Sequence, residues 1–256
     1  MQFMGYRRED GRVGVRNYVL ILPGCACASE TCRLVASEVR GTKNVIMNVG
    51  CSDVQANTDM NLRVLTGFAL NPNVFGVIVI GLGCETVGHR ELAAKIRAET
   101  SKPVVSFGIQ EIGGTVATTA AAVKAAREMV AQASEQQREP CDASDLFVAI
   151  ECGGSDATSG IASNPAVGNM SDRIVDLGGT TMMSETIEFV GAEHILAKRG
   201  ATPEIHDQII RICEDYEKHL AGVGQDCRTG QPTTGNKAGG LSTIEEKSLG
   251  CIHKGG

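Results

Sequence analysis

The apolar positions of the first half of the chain fall into short, mostly apolar runs, at 18–22, 45–49, 74–80 and 104–107, separated by stretches in which apolar residues recur every three or four positions. Solid runs of strand length mark strands buried on both faces, and the intervening 3.6-residue period marks helices that cover them, so the pattern predicts βαβ units around a parallel sheet. The predicted strands are 17–22, 44–49, 74–80 and 103–107. The predicted helices are 28–40, 57–70, 87–100 and 114–134, the last carrying a small-residue stripe suited to close packing.

The polar stretch 135–144 predicts a linker that divides the chain into 1–140 and 141–256. A second unit then begins, with strands at 146–151 and 179–183 and helices at 165–177, 189–199 and 203–221. It runs out into a tail rich in glycine and lysine. The expected fold class is α/β, as two consecutive Rossmann-like parallel-sheet units. The second reads as truncated, because a parallel sheet that stops at two strands is incomplete.

Composition sharpens this picture only in part. A chain of 256 residues with 42% hydrophobic and 21% charged residues has the make-up of a globular protein, and 31 glycines against nine aromatics favour tight turns over an aromatic-rich sandwich. The net charge of −6 comes with no basic stripe, which argues against nucleic acid as a partner. No apolar stretch reaches membrane-spanning length, and the start, MQFMGYRRED, lacks a signal peptide's apolar region, so the expected location is cytoplasmic, with no membrane partner.

In that setting ten cysteines read as metal-binding or catalytic rather than as a disulfide framework. Cys27, Cys51, Cys84 and Cys152 each stand just beyond a predicted strand. Ligands of open α/β sheets bind at the carboxyl edge of the strands, so Cys27, Cys51 and Cys84 are candidate ligands for a zinc ion, an iron ion or an iron–sulfur cluster with one open position. Cys25 competes with Cys27 for the first place. The plainer alternative is that small cysteines simply fit tight strand-to-helix turns. Cys32 and Cys213 fall at core positions of predicted helices, and Cys141 and Cys227 in polar loops.

Three further constellations carry candidate chemistry. ECGGSDATSG, 151–160, offers Ser155 and Asp156 in a glycine-rich turn before a helix, either an anion site or a set of helix caps. SETIEFVGAEH, 184–194, sets Glu185 and Glu188 one helical turn apart with His194 beyond, which suits a hard metal ion or acid–base work, though first-turn acids also complement a helix dipole. The tail brings Lys237, Lys247, His253 and Lys254, which either wrap an anionic substrate and supply a base or are solvated. GLGCET at 81–86 is not a dinucleotide fingerprint, since Thr86 occupies the third glycine's place.

The segments GYRREDGRVGVRNYVLILP (5–23), NPNVFGVIVIGLGCE (71–85), ECGGSDATSGIASNPAVG (151–168), GGTTMMSETIEFVGAEHILAKRGAT (178–202) and GNKAGGLSTIEEKSLGCIHKGG (235–256) resemble the altronate/galactarate dehydratase family. The resemblance spans the whole chain and places the family's thiols on Cys27, Cys51 and Cys84. It implies an iron-dependent lyase that removes water from a sugar acid, the iron being Fe2+ or an iron–sulfur cluster, with manganese as the alternative ion. On that reading Lys247 or His194 takes the α-proton, Glu185 assists the leaving hydroxyl, and Ser155, Asp156, Lys237 and Lys254 bind the substrate. The large subunit of a sulfolactate sulfo-lyase is the enzyme alternative, and a non-catalytic iron-binding assembly module the other. The family's dehydratases carry a small β-rich domain ahead of the GYRR motif and continue beyond the KGG motif. A small β-rich subunit, a small anionic sugar-acid or sulfonate substrate and self-association are therefore the expected partners.

Overall fold

The computed structural model describes all 256 residues. The chain divides into two compact units, Gln2–Cys141 and Asp142–Gly256, the second also taking in Met1.

The first unit opens with β1 (Gln2–Arg7) and β2 (Val13–Gly14), antiparallel, with Arg7 opposite Val13. Strands and helices then alternate: β3 (Tyr18–Pro23), α1 (Ser29–Glu38), β4 (Thr42–Asn44), α2 (Gln55–Leu70), β5 (Val74–Gly81), α3 (His89–Glu99), β6 (Val104–Gly108), α4 (Ile109–Ile112) and α5 (Thr115–Glu135). The sheet order is β4-β3-β5-β6, every pair parallel, with Ile21 beside Ile78 and Ile78 beside Val105.

The solid apolar runs have a direct cause in this layering. Successive side chains of a strand point to opposite faces. Val19, Ile21, Ile78 and Ile80 face a core completed from α1 and α5, while Leu20, Leu22, Val77 and Val79 face one completed from α2 and α3.

The second run is an exception. Pairing with β3 ends at Asn44, and the run 45–49 leaves the sheet, with Ile46 70% exposed. The Ser29 hydroxyl at the start of α1 accepts from Met47 N and donates to Met47 O, so this backbone bonds to the helix start instead of a neighbouring strand. The expected linker also contains a strand, β7 (Glu139–Asp142), which joins β1. Its alternation turns Cys141 inward, so that thiol is buried and not in a polar loop. At the end of α2, Lys102 donates to the carbonyls of Ala69 and Asn71 and so satisfies terminal acceptors of the helix. Burial first, and then the Arg8 and Arg12 charges, push its pKa down to about 8.

In the second unit β8 (Phe147–Ile150) and β9 (Thr180–Met183) form a parallel pair in which Ile150 lies beside Met183. Between them a π-helical turn, Ser159–Ser163, leads into α6 (Asn164–Asp176). Phe147 and Met182 of the pair are 63% and 44% exposed. The helix expected at 189–199 is instead broken into a 3-10 turn (Thr186–Glu188), α7 (Glu193–Leu196) and a second 3-10 turn (Ala197–Arg199). Gly191 between them takes φ +88°, a left-handed conformation that interrupts a right-handed helix.

α8 (Pro203–Gly222) follows, with Thr202 capping it and Pro203 in its first turn. The tail is structured. It folds into α9 (Cys227–Gly230), α10 (Thr234–Ala238) and α11 (Ile244–Cys251). Ile244, Cys251 and Ile252 are buried, as is Cys227, which the sequence had suggested for a polar loop. Ser171 donates to Lys254 O and Ser248 to Val190 O, each at 2.7 Å, fastening the last residues to the rest of the unit. No helix is long and apolar enough to cross a membrane.

Candidate functional site

Cys27, Cys51 and Cys84 follow β3, β4 and β5, so the parallel sheet delivers all three to its carboxyl edge. The loops that carry them are tied together: Ala26 N donates to Val49 O at 2.8 Å, and Thr86 N to Gly50 O at 2.9 Å. Gly50 has φ +121°, and a Cβ there would lie 2.7 Å from the Cβ of Cys25, so the Cys51 loop can approach the Cys25–Cys27 loop only with glycine at that point. Cys25 turns into the core and Cys27 faces solvent, as do Cys51 and Cys84. Lost hydration first, then the neighbouring Cys84 and Cys27, push the Cys51 thiol up.

Glu85 organises this edge, a role the sequence did not reveal. Its carboxylate accepts from the backbone N–H groups of Leu82 at 3.0 Å, Gly83 at 2.6 Å and His89 at 3.2 Å, which shapes the Cys84 loop and caps the start of α3. Burial opposes its charge, but these N–H groups outweigh burial and hold the carboxyl below its usual range. As soft donors at one sheet edge, free of disulfides, Cys27, Cys51 and Cys84 are side chains that could hold a soft metal centre.

The second unit holds a cleft of about 250 Å³ between the 155–161 turn and the 246–253 segment. Ser155, Asp156, Lys247 and His253 line it. Lys247 donates to Gln231 Oε1 at 2.8 Å and Asn236 Oδ1 at 3.4 Å, and Asn236 in turn donates to Ser155 O at 2.8 Å, so the lysine is braced against the opposite wall. Asn236 also completes a capping box with Thr233. Asp156 is engaged with its own turn: Oδ1 accepts from the hydroxyl and N–H of Thr158 and from Ser159 N–H, and these bonds hold its carboxyl below the usual range. His253, one of the tail residues singled out in the sequence, reaches the cleft because the tail is docked. His194 and Lys237 are exposed and do not line the cleft.

Beside the cleft lies a third group. Cys152 and Glu185 each stand two residues past the paired ends of β8 and β9, and Glu188 follows in its 3-10 turn. Cys152 Sγ, one oxygen of Glu185 and one of Glu188 all lie within 4.8 Å of one another. Cys152 Sγ is 3.5 Å from Ser155 Oγ, which joins the group to the wall of the cleft. Lys254 is buried with its ammonium on Glu188, so it points inward, away from solvent. Burial, and next the Glu188 charge, push the neighbouring Cys251 thiol up to about 12.

An α/β chain with reactive side chains at a sheet edge and lining a small polar cleft belongs with the enzymes of small molecules. This chain is a member of the D-galactarate/altronate dehydratase family: the family's second domain matches residues 5–134 and its C-terminal domain residues 143–256. Relatives include the (2R)-sulfolactate sulfo-lyase subunit beta of Chromohalobacter salexigens, 42% identical over 98% of this chain and 64% of that protein. Altronate dehydratase of Bacillus subtilis and galactarate dehydratase (L-threo-forming) of Escherichia coli are each 34% identical, over 99% of this chain and 52% of theirs. The chain thus spans about half to two thirds of the length of these relatives, and the family is one of lyases.

Proposed function

We propose that the chain serves a lyase that removes a β-substituent from a small 2-hydroxy acid, with water as the leaving group and a sugar acid such as altronate or galactarate as substrate. The observation that carries this reading is the cleft in which Lys247 is braced by Gln231 and Asn236 opposite the 155–161 turn. Elimination needs a base for the α-proton and a proton for the departing oxygen. Lys247 Nζ takes the α-proton, and His253 on the same wall supplies the proton to the leaving group. The Ser155 hydroxyl holds a substrate oxygen, while Asp156, with Oδ1 engaged in its own turn, keeps the wall in shape.

Cys27, Cys51 and Cys84 are the residues that would hold iron. Bound there, iron supplies Lewis acidity toward carboxylate and hydroxyl oxygens. A second reading, loss of sulfite from sulfolactate, is favoured by the higher identity to the sulfo-lyase subunit, 42% against 34% for the two dehydratases. A small β-rich partner and self-association belong to both readings.

The test is an anaerobic assay of the protein purified with any bound subunit, supplied with iron and given altronate, galactarate and sulfolactate in turn. A keto acid formed from one sugar acid supports the first reading, and sulfite release supports the second. Failure to turn over any of the three would overturn both.

A further inference from the structure

We propose that the first unit binds a phosphate monoester of a polyhydroxy compound, of sugar-phosphate size, in a cleft at the amino edge of its parallel sheet, built around Arg8, Thr100, Ser101 and Lys102. The cleft measures about 410 Å³, a volume in the range of small-molecule sites. Thr100, Ser101 and Lys102 lie in the turn between α3 and β6, and Phe75 lines the cleft from the start of β5. Cys27, Cys51 and Cys84 stand at the opposite, carboxyl edge of the same sheet, so this site is separate from theirs.

Two half-buried cations in this lining have no carboxylate partner. Lys102 spends two of its three N–H groups on the carbonyls of Ala69 and Asn71. Arg8 spends four of its five on Pro72 O, Gln136 Oε1, Arg16 O and Asn17 Oδ1. One N–H remains on each. The acids nearby are already engaged, Asp10 with Arg12 at 2.6 Å and Glu99 with Lys95 at 3.1 Å. Burial and the Arg8 and Arg12 charges all act against the Lys102 ammonium, and Asp10 opposes them. A bound dianion offsets all three.

The hydroxyls select phosphate over carboxylate. Thr100 Oγ1 accepts from Lys102 N at 3.3 Å and keeps its own hydrogen to donate, and Ser101 is exposed beside it. Two N–H groups and two hydroxyls match the three terminal oxygens of a phosphate ester better than the two of a carboxylate. The rest of the cleft suits a polyol. Glu9 and Glu99 line it as acceptors for hydroxyl groups, and their charge disfavours an anion that brings no hydroxyls.

The experiment is isothermal titration calorimetry of the full chain at pH 7 with glucose 6-phosphate as the probe, and with glucose, gluconate and inorganic phosphate in parallel. The expected result is saturable binding of the sugar phosphate at one site per chain, with each of the other three weaker by about tenfold or more, the scale of one lost charge-assisted hydrogen bond. Lys102→Met should weaken that binding by a similar factor. Ser101→Glu, which sets a carboxylate at an exposed position in the cleft, should abolish it with circular dichroism unchanged, and it decides the matter even where Lys102→Met fails to fold. No saturable heat at millimolar sugar phosphate, equal affinity for gluconate or inorganic phosphate, or binding untouched by Ser101→Glu would each overturn the proposal. Both variants lie in the first unit, so binding in the cleft of the second unit would survive them, and the readout is independent of the lyase reading.

Discussion

Lys254 and Glu188 form an ion pair almost wholly withdrawn from water, with side-chain exposures of 5% and 1%. Removing one partner of such a pair leaves the other charge buried and uncompensated. Lys254→Met should therefore destabilise the chain by about 3–5 kcal/mol. Lys254→Met combined with Glu188→Leu should recover much of that loss. Urea denaturation of the two variants decides it, and a single variant as stable as the parent would contradict the burial.

Lys247 and His194 were equal candidates for the base on sequence grounds, but only Lys247 lines the cleft. Lys247→Met should lower kcat by about 10²–10⁴-fold, the range for loss of a general base. His194→Asn should leave it nearly unchanged. Steady-state keto-acid or sulfite formation measures both, and an equal fall in the two variants would count against the cleft as the place of reaction.

Cys84 is exposed at the sheet edge, whereas Cys213 sits in a core with Val190, Cys227 and Ile244. Cys84→Ala should lose bound iron after anaerobic reconstitution while its melting temperature holds. Cys213→Ala should keep the iron and lose roughly 1 kcal/mol of stability. Iron analysis beside thermal melts separates the two, and equal iron loss in both variants would remove Cys84 from the ligand set.

Lys102 provides a pH test. Its folded pKa is about 8, against about 10.4 in an unfolded chain. Below pH 8 the lysine is charged in both states and the penalty for burying that charge is fully felt. Between those values the unfolded chain binds the extra proton, so this residue's contribution to stability rises with pH. The stability difference between the parent and Lys102→Met should shift in favour of the parent across that interval. A flat difference would mean that the ammonium is solvated.

The parallel sheet was legible because burial on both faces writes solid apolar runs, as in Val77–Ile80, where neighbouring residues serve opposite cores. The 45–49 run misled because apolarity does not record that the Ser29 hydroxyl takes the Met47 backbone. The small sheet of β1, β2 and β7 escaped because β2 is only two residues long and β7, EPCD, carries a proline and two charges. At the sites, the placement of thiols after strands could be read directly, but the choice between Cys25 and Cys27 turns on which way one turn faces. The Asn236 bridge, the seat of His253 in the cleft and the Glu188–Lys254 pair could not be read. They arise only when the tail docks, and Glu188 and Lys254 are 66 positions apart.

The distribution of sulfur gives the chain a built-in clock. Cys27, Cys51 and Cys84 face solvent, Cys152 is half-covered, and the other six thiols are sealed. An alkylating reagent therefore meets distinct kinetic populations. The exposed thiols react from the native state, with Cys51 slowed by its smaller thiolate fraction. The sealed ones react only as the chain opens around them, Cys25 and Cys32 reporting the first unit and Cys213, Cys227 and Cys251 the second. Peptide mass mapping over time would record the opening of each unit in a single experiment, with no residue of the protein replaced.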